Sequence, residues 1–370
     1  MKKNSITERR TKRRDEEGPA RTIGLDLGDR TSRYCELDGE GEVAVEASLA
    51  TTKKGMRQRF GAMRRTRIAL EAGTHSPWIS RLLTELGHEV IVANPRQVKL
   101  ISESSRKDDR MDARTLARLA RVDPELLRPI QHRSEKTQLD RMRVNVRAVL
   151  IGTRTALINS VRGMTKSMGE RVEACDADSL NHERLAALPL ELQKMLRPLV
   201  LQIDSLTKAI HEQDKLLEQL AKKQYPETAL LQQVHGVGTL IALTFVLTVE
   251  DKHRFEKSRD AGCYVGLRPK RSESGERHPQ LGITKEGDRY LRTLLVQGAH
   301  GVLHKRAPDT DLKRWGQKLA ERGGSNAKKR AIVAVARKLA VLLHRLWVTG
   351  EEYEPLRNTT KREAGKPAAA

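Results

Sequence analysis

Aromatic residues are scarce: three Phe, three Trp and five Tyr make up 3% of the 370 residues. Any sizeable core must therefore be built from Leu, Val, Ile and Ala, a composition rich in helix formers. Cysteine is scarcer still. Cys35, Cys175 and Cys263 lie far apart with no paired spacing, so neither a disulfide framework nor a zinc site is indicated, and a reducing compartment fits. Long apolar runs are absent. The longest, "TLIALTFVLTV" at 239–249, is too short to span a bilayer, and "MKKNSITERRTKRRDEEG" at the start has no apolar segment like that of a signal peptide. A cytoplasmic protein with no membrane partner is expected. Negative charge is also in deficit, with 48 Asp and Glu against 70 Lys and Arg, a formal net charge of +22. Such an excess points to a polyanionic partner, most often nucleic acid; the alternative is a basic but otherwise ordinary soluble protein.

The chain divides by pattern. Residues 1–20 read as a disordered basic arm. The segments "TIGLDLG" (22–28), "RYCELDG" (33–39) and "EVAVEASLA" (42–50) predict three short strands in an antiparallel meander. A basic helix around 53–65, a strand "RIALEAG" (67–73), a helix "SPWISRLLTELG" (76–87) and a strand "EVIVANP" (89–95) then predict parallel additions to that sheet. Residues 131–225 read as two long helices. Leu139, Met142, Val146 and Val149 step by three and four, as do Leu192, Leu196, Leu199, Ile203, Leu206 and Ile210, with Leu217 and Leu220 beyond. That period predicts a coiled coil or helical hairpin, which either pairs protomers through the leucines at 192–220 or packs within one chain. Residues 226–350 read as a mostly helical domain, and 351–370 as a disordered tail.

Candidate chemistry gathers in two places. Asp26 lies on the first strand between Leu25 and Leu27, so its side chain emerges on the face opposite theirs, and Glu71 ends the fourth strand. In "KDDRMDARTLARL", Asp109 and Asp112 are three apart at the start of a helix and share a face. They either ease the helix start electrostatically or join the two strand acids; the helix start is explanation enough for Asp108. The second place is "YVGLRPKRSESGERHPQLGITKEGDRYLR" (264–292), where Ser272 and Ser274 lie in a loop with Arg268, Lys270, Arg271 and Lys285. A serine there is either a turn residue or a nucleophile held against a phosphodiester. The turn "HGVGTLIA" (235–242) either presents backbone N–H groups of Gly236 and Gly238 to a phosphate or only packs, and the same choice applies to Lys328, Lys329 and Arg330.

The order of elements, with an Asp on strand one, a Glu on strand four and paired acids on a late helix, resembles the RNase H-like fold, and within it a RuvC-like nuclease domain. With "GLDLG", "LEAG", the K-x-D-x-x-D-A pattern of Lys107, Asp109, Asp112 and Ala113, "GVGTLIA" and "SGERHPQLGITKEGDRYLR" in sequence, the chain resembles transposases of insertion-sequence family one-ten over roughly residues 21–347. The resemblance implies a RuvC-like DEDD domain at 21–130, a coiled-coil middle and a C-terminal serine-bearing transposase domain. It implies DNA recombination in which Asp26, Glu71, Asp109 and Asp112 hold two Mg²⁺ ions and Ser274 links transiently to DNA. It further implies donor and target DNA, a noncoding bridge RNA and a homo-oligomer as partners, in the nucleoid-associated cytoplasm of a bacterium. Glu273 and Glu276 depart from the family's small residues around the serine, which keeps Ser272 as a lesser candidate. Two other readings stand beside this one: a RuvC-like structure-selective endonuclease that hydrolyses junctions with water, and a nucleic-acid-binding protein whose acids are not catalytic.

Overall fold

A computed structural model describes residues 21–95, 109–272, 279 and 281–358, with only the backbone described for 109–111. Two compact units divide after Glu135. In the first, the alternation of "TIGLD" puts Ile23 and Leu25 on one face of strand β1 (Thr22–Asp26) and Thr22, Gly24 and Asp26 on the other. β1 pairs antiparallel with β2 (Thr31–Leu37), which pairs antiparallel with β3 (Val43–Ala50). On its other side β1 pairs parallel with β4 (Arg67–Glu71), and β4 pairs parallel with β5 (Glu89–Ala93), giving the order β3-β2-β1-β4-β5. The meander and its parallel additions are as the sequence predicts.

Both faces of this sheet are covered. Helices α1 (Lys53–Phe60) and α2 (Ser76–Glu85) pack Met56, Phe60, Ile79, Leu82 and Leu83 against Ile23, Leu25, Ile68 and Leu70. Thr52 starts α1 by accepting the Gly55 N–H at 3.0 Å, and Pro77 occupies the first turn of α2, where its missing N–H costs nothing. Helix α3 (Asp109–Val122) covers the opposite face with Leu116 and Ala120 on Ala69, and with Ala113 and Ala117 on Cys35 and Leu37.

The second unit opens with two long helices, α4 (Glu135–Ser167) and α5 (Leu190–Gln224). They run antiparallel: Val144 packs near Leu217, Arg147 pairs with Asp214, Arg154 bonds Thr207 at 3.1 Å, and Ile158 and Val161 meet Val200 and Ile203. The leucine seam of α5 is therefore covered inside one chain, since Leu192, Leu196, Ile203, Ile210, Leu217 and Leu220 are all buried. The apolar step on α4 has the opposite fate. Leu139, Met142, Val146 and Val149 are 56%, 53%, 48% and 66% exposed, so α4 turns a second apolar stripe away from its partner helix.

The remaining helices, α6 (Glu227–Leu231), α7 (Thr239–Val249), α8 (Arg259–Tyr264), α9 (Arg289–Leu303), α10 (Asp311–Ala320) and α11 (Ala327–Thr349), enclose the largest core. Phe245 and Val246 of α7, Leu291 and Leu295 of α9, and Val335, Leu339 and Leu343 of α11 form its centre. Residues 351–358, expected to begin a disordered tail, are tied down. The Tyr353 N–H donates to Gln233 Oε1 at 2.8 Å, and the Asp311 N–H donates to the Pro355 carbonyl at 2.8 Å. Residues 1–20 and 359–370 lie outside the described residues. Among the described residues no helix is long and apolar enough to cross a membrane.

His344 of α11 is buried in this unit. Its Nε2–H donates to the Lys252 carbonyl at 2.9 Å, which leaves Nδ1 to accept from the Ser258 hydroxyl at 3.0 Å. Burial holds its pKa below the ordinary histidine value of 6.5, and His253 adds to this against the opposing influence of the Lys252 carbonyl and Asp260. The unfolded chain therefore takes a proton more readily than the folded one, so this contribution to stability is complete above about pH 6.5 and is lost as pH falls below it. Urea unfolding is expected to show a lower midpoint at about pH 5.5 than at about pH 7.5. His344→Gln, whose amide keeps a donor for Lys252, is expected to narrow that gap.

Candidate active site

The register between β1 and β4 aligns two acids. Leu25 stands opposite Leu70, so one further step brings Asp26 level with Glu71 at the carboxyl ends of both strands. Each acid lies on the α3 face of its strand, because Gly24 of β1 and Ala69 of β4, two residues earlier, are in contact with α3. α3 lies close on this face for one reason. A Cβ at Gly24 would stand 1.9 Å from the Ala113 carbonyl oxygen and 2.5 Å from the Ala117 nitrogen. The Arg67 guanidinium at the start of β4 donates to the Ala120 carbonyl at 3.2 Å, so the later turns of α3 lie over the strand starts. Its first turns therefore lie at the edge that holds Asp26 and Glu71.

Asp112 is in that first part of α3, beside Ala113, and is half-buried. Its proximity registers on Glu71: burial first, and the Asp112 charge second, push the Glu71 carboxyl above the ordinary carboxylate range. Asp109 is the first residue of α3, one turn before Asp112. Its side chain, together with Lys107 and Asp108, lies outside the described residues. Among the described residues no three acidic, His or Cys side chains form a ready ligand set, and the pair brought into mutual influence is Glu71 and Asp112.

The turn that follows Glu71 is fixed from below. The Gly73 N–H donates to Ser76 Oγ at 2.9 Å, the Ser76 hydroxyl donates to the Gly73 carbonyl at 2.8 Å, and His132 Nε2 lies 2.9 Å from the same oxygen. With the hydroxyl proton committed to Gly73, the imidazole is the donor in that last bond. Burial, then Arg81 and Arg133, hold the His132 pKa below its ordinary value and keep the ring neutral for this role.

In the second unit the serine-bearing loop has a paired base. The Lys270 N–H donates to the Gly282 carbonyl at 2.9 Å, the Thr284 N–H to Arg268 at 2.9 Å, and the Lys285 N–H to Gly266 at 3.1 Å. Arg268, Lys270 and Lys285 are thus carried on adjoining legs. Gly266 and Gly287 permit this closure: each has positive φ, and a Cβ would stand 2.0 Å from the Glu286 oxygen or 1.9 Å from the Tyr264 oxygen. Ser272 and Arg271 are exposed just beyond the paired leg, and Ser274 lies outside the described residues. The far end of the loop is anchored by Asp288, which caps α9 through the Leu291 N–H at 2.6 Å and pairs with Arg141 of α4.

The "HGVG" turn packs. Gly236 has φ 85°, and a Cβ there would meet the Gly298 carbonyl of α9 at 2.5 Å. Gly238 caps α7 in open space, and Lys328, Lys329 and Arg330 are exposed at the start of α11. The positional roles of Gly24, Ser76 and His132 escape sequence reasoning; the one available signal was a glycine among β-branched and aliphatic strand residues, which marks a close backbone approach. Gly24→Ala is expected to destabilise the protein by about 1–3 kcal/mol in urea unfolding, because backbone must move. Gly238→Ala, with nothing within 4 Å of the added carbon, is expected to stay within about 0.5 kcal/mol of the parent.

Comparison with known proteins finds two family matches along the chain, the first extending past Glu135 to the end of α4. Residues 23–168 match the IS110 DEDD model described as "Transposase", and residues 228–314 match the model described as "Transposase IS116/IS110/IS902 family". The chain is 29% identical over 355 residues to the transposase for insertion sequence element IS1111A of Coxiella burnetii, covering 92% of this chain and 93% of that protein. It is 28% identical over 341 residues to a probable family 20 transposase of Pseudomonas aeruginosa, covering 90% and 98%. It is 30% identical over 335 residues to the putative transposase y4pF/y4sB of Sinorhizobium fredii, covering 85% and 81%. With both signature regions present in order, and relatives aligned along nearly its whole length, the chain belongs to the IS110 family of insertion-sequence transposases.

Proposed function

We propose that this transposase cuts and rejoins DNA strands at a RuvC-like, RNase H-like domain, with Asp26, Glu71, Asp109 and Asp112 as ligands for two Mg²⁺ ions and Ser274 as nucleophile. The observation that carries the reading is the convergence of Glu71 and Asp112, level with Asp26, at one edge of the sheet. Half-buried like charges cost free energy, and a cation between them offsets that cost. Carboxylate oxygens are the hard donors that Mg²⁺ prefers. Bound there, the ions supply charge neutralisation for the attacking and leaving oxygens of a phosphoryl transfer.

The chain's own groups do the rest. The Ser274 oxygen forms a bond to phosphorus as the bond to one deoxyribose oxygen breaks, and the serine proton ends on the departing sugar hydroxyl. One phosphodiester replaces another, so rejoining needs no outside energy source. A serine hydroxyl is a weak nucleophile, and the cationic legs bearing Arg268, Lys270 and Lys285 suit the negative charge on the phosphoryl oxygens in the transition state. Ser272, on the described leg, is the second candidate.

Donor and target DNA and a structured noncoding bridge RNA are the proposed partners, in keeping with the net charge of +22. The proposed homo-oligomer uses the exposed stripe of Leu139, Met142, Val146 and Val149 on α4, whose three- and four-residue steps suit a second helix. The leucines of α5 are unsuited to this, being covered within the chain.

Asp26→Asn and Glu71→Gln are expected to reduce strand cleavage at the element's ends by at least about 100-fold while nucleic-acid binding changes little. Cleavage at the parental rate in either variant contradicts the carboxylate assignment. DNA trapped under denaturing conditions is expected to carry a peptide containing Ser274. Attachment at Ser272 moves the nucleophile, and free ends with an active Ser274→Ala variant favour hydrolysis by water. Met142→Glu with Val146→Glu is expected to shift sedimentation to the monomer without loss of helix content; an unchanged oligomer contradicts the stripe's role.

A further inference from the structure

The loop after Glu71 carries a side chain with no part in the site described so far. His75 stands four residues beyond Glu71, in the segment leaving the carboxyl end of β4, and its ring is 29% exposed. The loop leaving the adjacent strand β1 carries Asp29, three residues beyond Asp26. Parallel neighbouring strands deliver both loops to one edge of the sheet, and the two meet there: His75 Nε2 lies 3.5 Å from Asp29 Oδ1.

The other ring nitrogen is committed. The Trp78 indole N–H points at His75 Nδ1 from 3.2 Å, with the two rings edge to face. An indole nitrogen can only donate, so Nδ1 must accept, and the neutral imidazole carries its proton on Nε2. Trp78 is itself packed on the core formed by Ile23, Leu25 and Ile79, which makes the lock rigid. The backbone between Glu71 and His75 is equally fixed, through the bonds of Gly73 to Ser76 and of Ser76 to His132. A donor is thus held in one tautomer in the loop at the carboxyl end of β4, the end of the sheet that carries Asp26 and Glu71.

Asp29 satisfies that donor only weakly. At 3.5 Å the contact is too long for a good hydrogen bond, and the Asp29 side chain is 92% exposed, so water screens it. The chemistry of the edge supplies a better acceptor. Carboxylates offer a phosphate no hydrogen bonds, and a lysine or arginine among them would compete with metal ions for the same oxygens. A neutral N–H contributes a hydrogen bond without that competition.

Resting on the carboxylate reading above, we propose that His75 donates its Nε2–H to a non-bridging oxygen of the DNA phosphodiester being cut, with Trp78 as the positioning residue that fixes its tautomer. Only the hydrogen bond forms; no proton is transferred. The side chain would contact substrate directly, in strand cleavage and again in rejoining.

The test uses the full-length protein on a plasmid bearing the element's two ends, with Asp26→Asn in parallel. His75→Ala is expected to slow cleavage by about 100- to 1,000-fold, as loss of one donor to a developing oxyanion does, with DNA retention on filters changed less than about threefold. His75→Gln, which offers an amide N–H, is expected to recover part of the rate, and Trp78→Phe to fall between, because the ring is then free to exchange tautomers. A methylphosphonate at the cut position separates a contact from a structural role. One stereoisomer is expected to slow the parent but leave His75→Ala no slower than on normal DNA; slowing of that variant by both isomers to the parental extent overturns the proposal. Parental cleavage by both His75→Ala and His75→Gln, with Asp26→Asn inactive, overturns it while the carboxylate reading stands. An active Asp26→Asn removes that reading, and the proposal falls with it.

Discussion

The clearance at Gly24 is the constraint on which the first unit depends. A strand with any side chain at that position would hold α3 away from the sheet, since the missing carbon would overlap the Ala113 carbonyl at 1.9 Å. Small residues on the helix complete the fit, with Ala113, Ala117 and Ala120 each facing the sheet. Because α3 crosses so low, its first turns reach the carboxyl ends of β1 and β4, and Asp112 comes near enough to raise the Glu71 pKa. Close packing thus creates an electrostatic penalty, one that a cation bound there would offset. The same closeness makes a one-carbon change at Gly24 a change in the position of Asp112.

The second unit uses related physics for a different end. Gly236, Gly298 and Gly301 let the "HGVG" turn sit on α9, and Gly266 and Gly287 let the two roots of the serine-bearing loop close on each other. An ion pair then ties the loop's end to the long helix: Arg141 of α4 bonds Thr248 at 2.5 Å and pairs with Asp288, the residue that caps α9. Arg147 of the same helix pairs with Asp214. Arg141 lies between Leu139 and Met142 of the exposed stripe, so an oligomer formed through that stripe would have a short mechanical route to the loop. The root of the serine-bearing loop is thus tied to α4 by one half-buried pair, Arg141 with Asp288.

Much of this was legible in the sequence, for identifiable reasons. Two-residue alternation with closely spaced turns marked the meander, and strand–helix alternation marked the parallel strands, because those periods follow from backbone geometry alone. Asp26 and Glu71 could be recognised as strand-end acids, and Asp109 and Asp112 as a helical pair. That Glu71 and Asp112 meet depends on the height of α3 over β1, which rests on an absent side chain and leaves no periodic trace. The coil shows the complementary limit. Periodicity reveals that a helix face is apolar but says nothing of what covers it. Thus the leucines of α5, which by period alone either pair protomers or pack within one chain, are buried within the chain, while the shorter stripe on α4 is exposed. The ties of residues 351–358 to Gln233 and Asp311 are invisible in the sequence for a similar reason, since polar backbone bonds to distant elements have no local signature. Tautomer control at His75 by Trp78 is visible as a three-residue spacing only once the helix start at Ser76 is known.

Under the proposed function, the acids gathered by α3 share a cation. Mn²⁺ titrated into nucleic-acid-free protein, with free ion followed by its electron paramagnetic resonance signal, tests this apart from any DNA chemistry. Parent protein is expected to remove Mn²⁺ from solution, while Glu71→Gln and Asp112→Asn each weaken binding by at least about tenfold, equivalent to about 1.4 kcal/mol. Binding unaltered by both substitutions, in variants that retain the parental fold, would contradict the account.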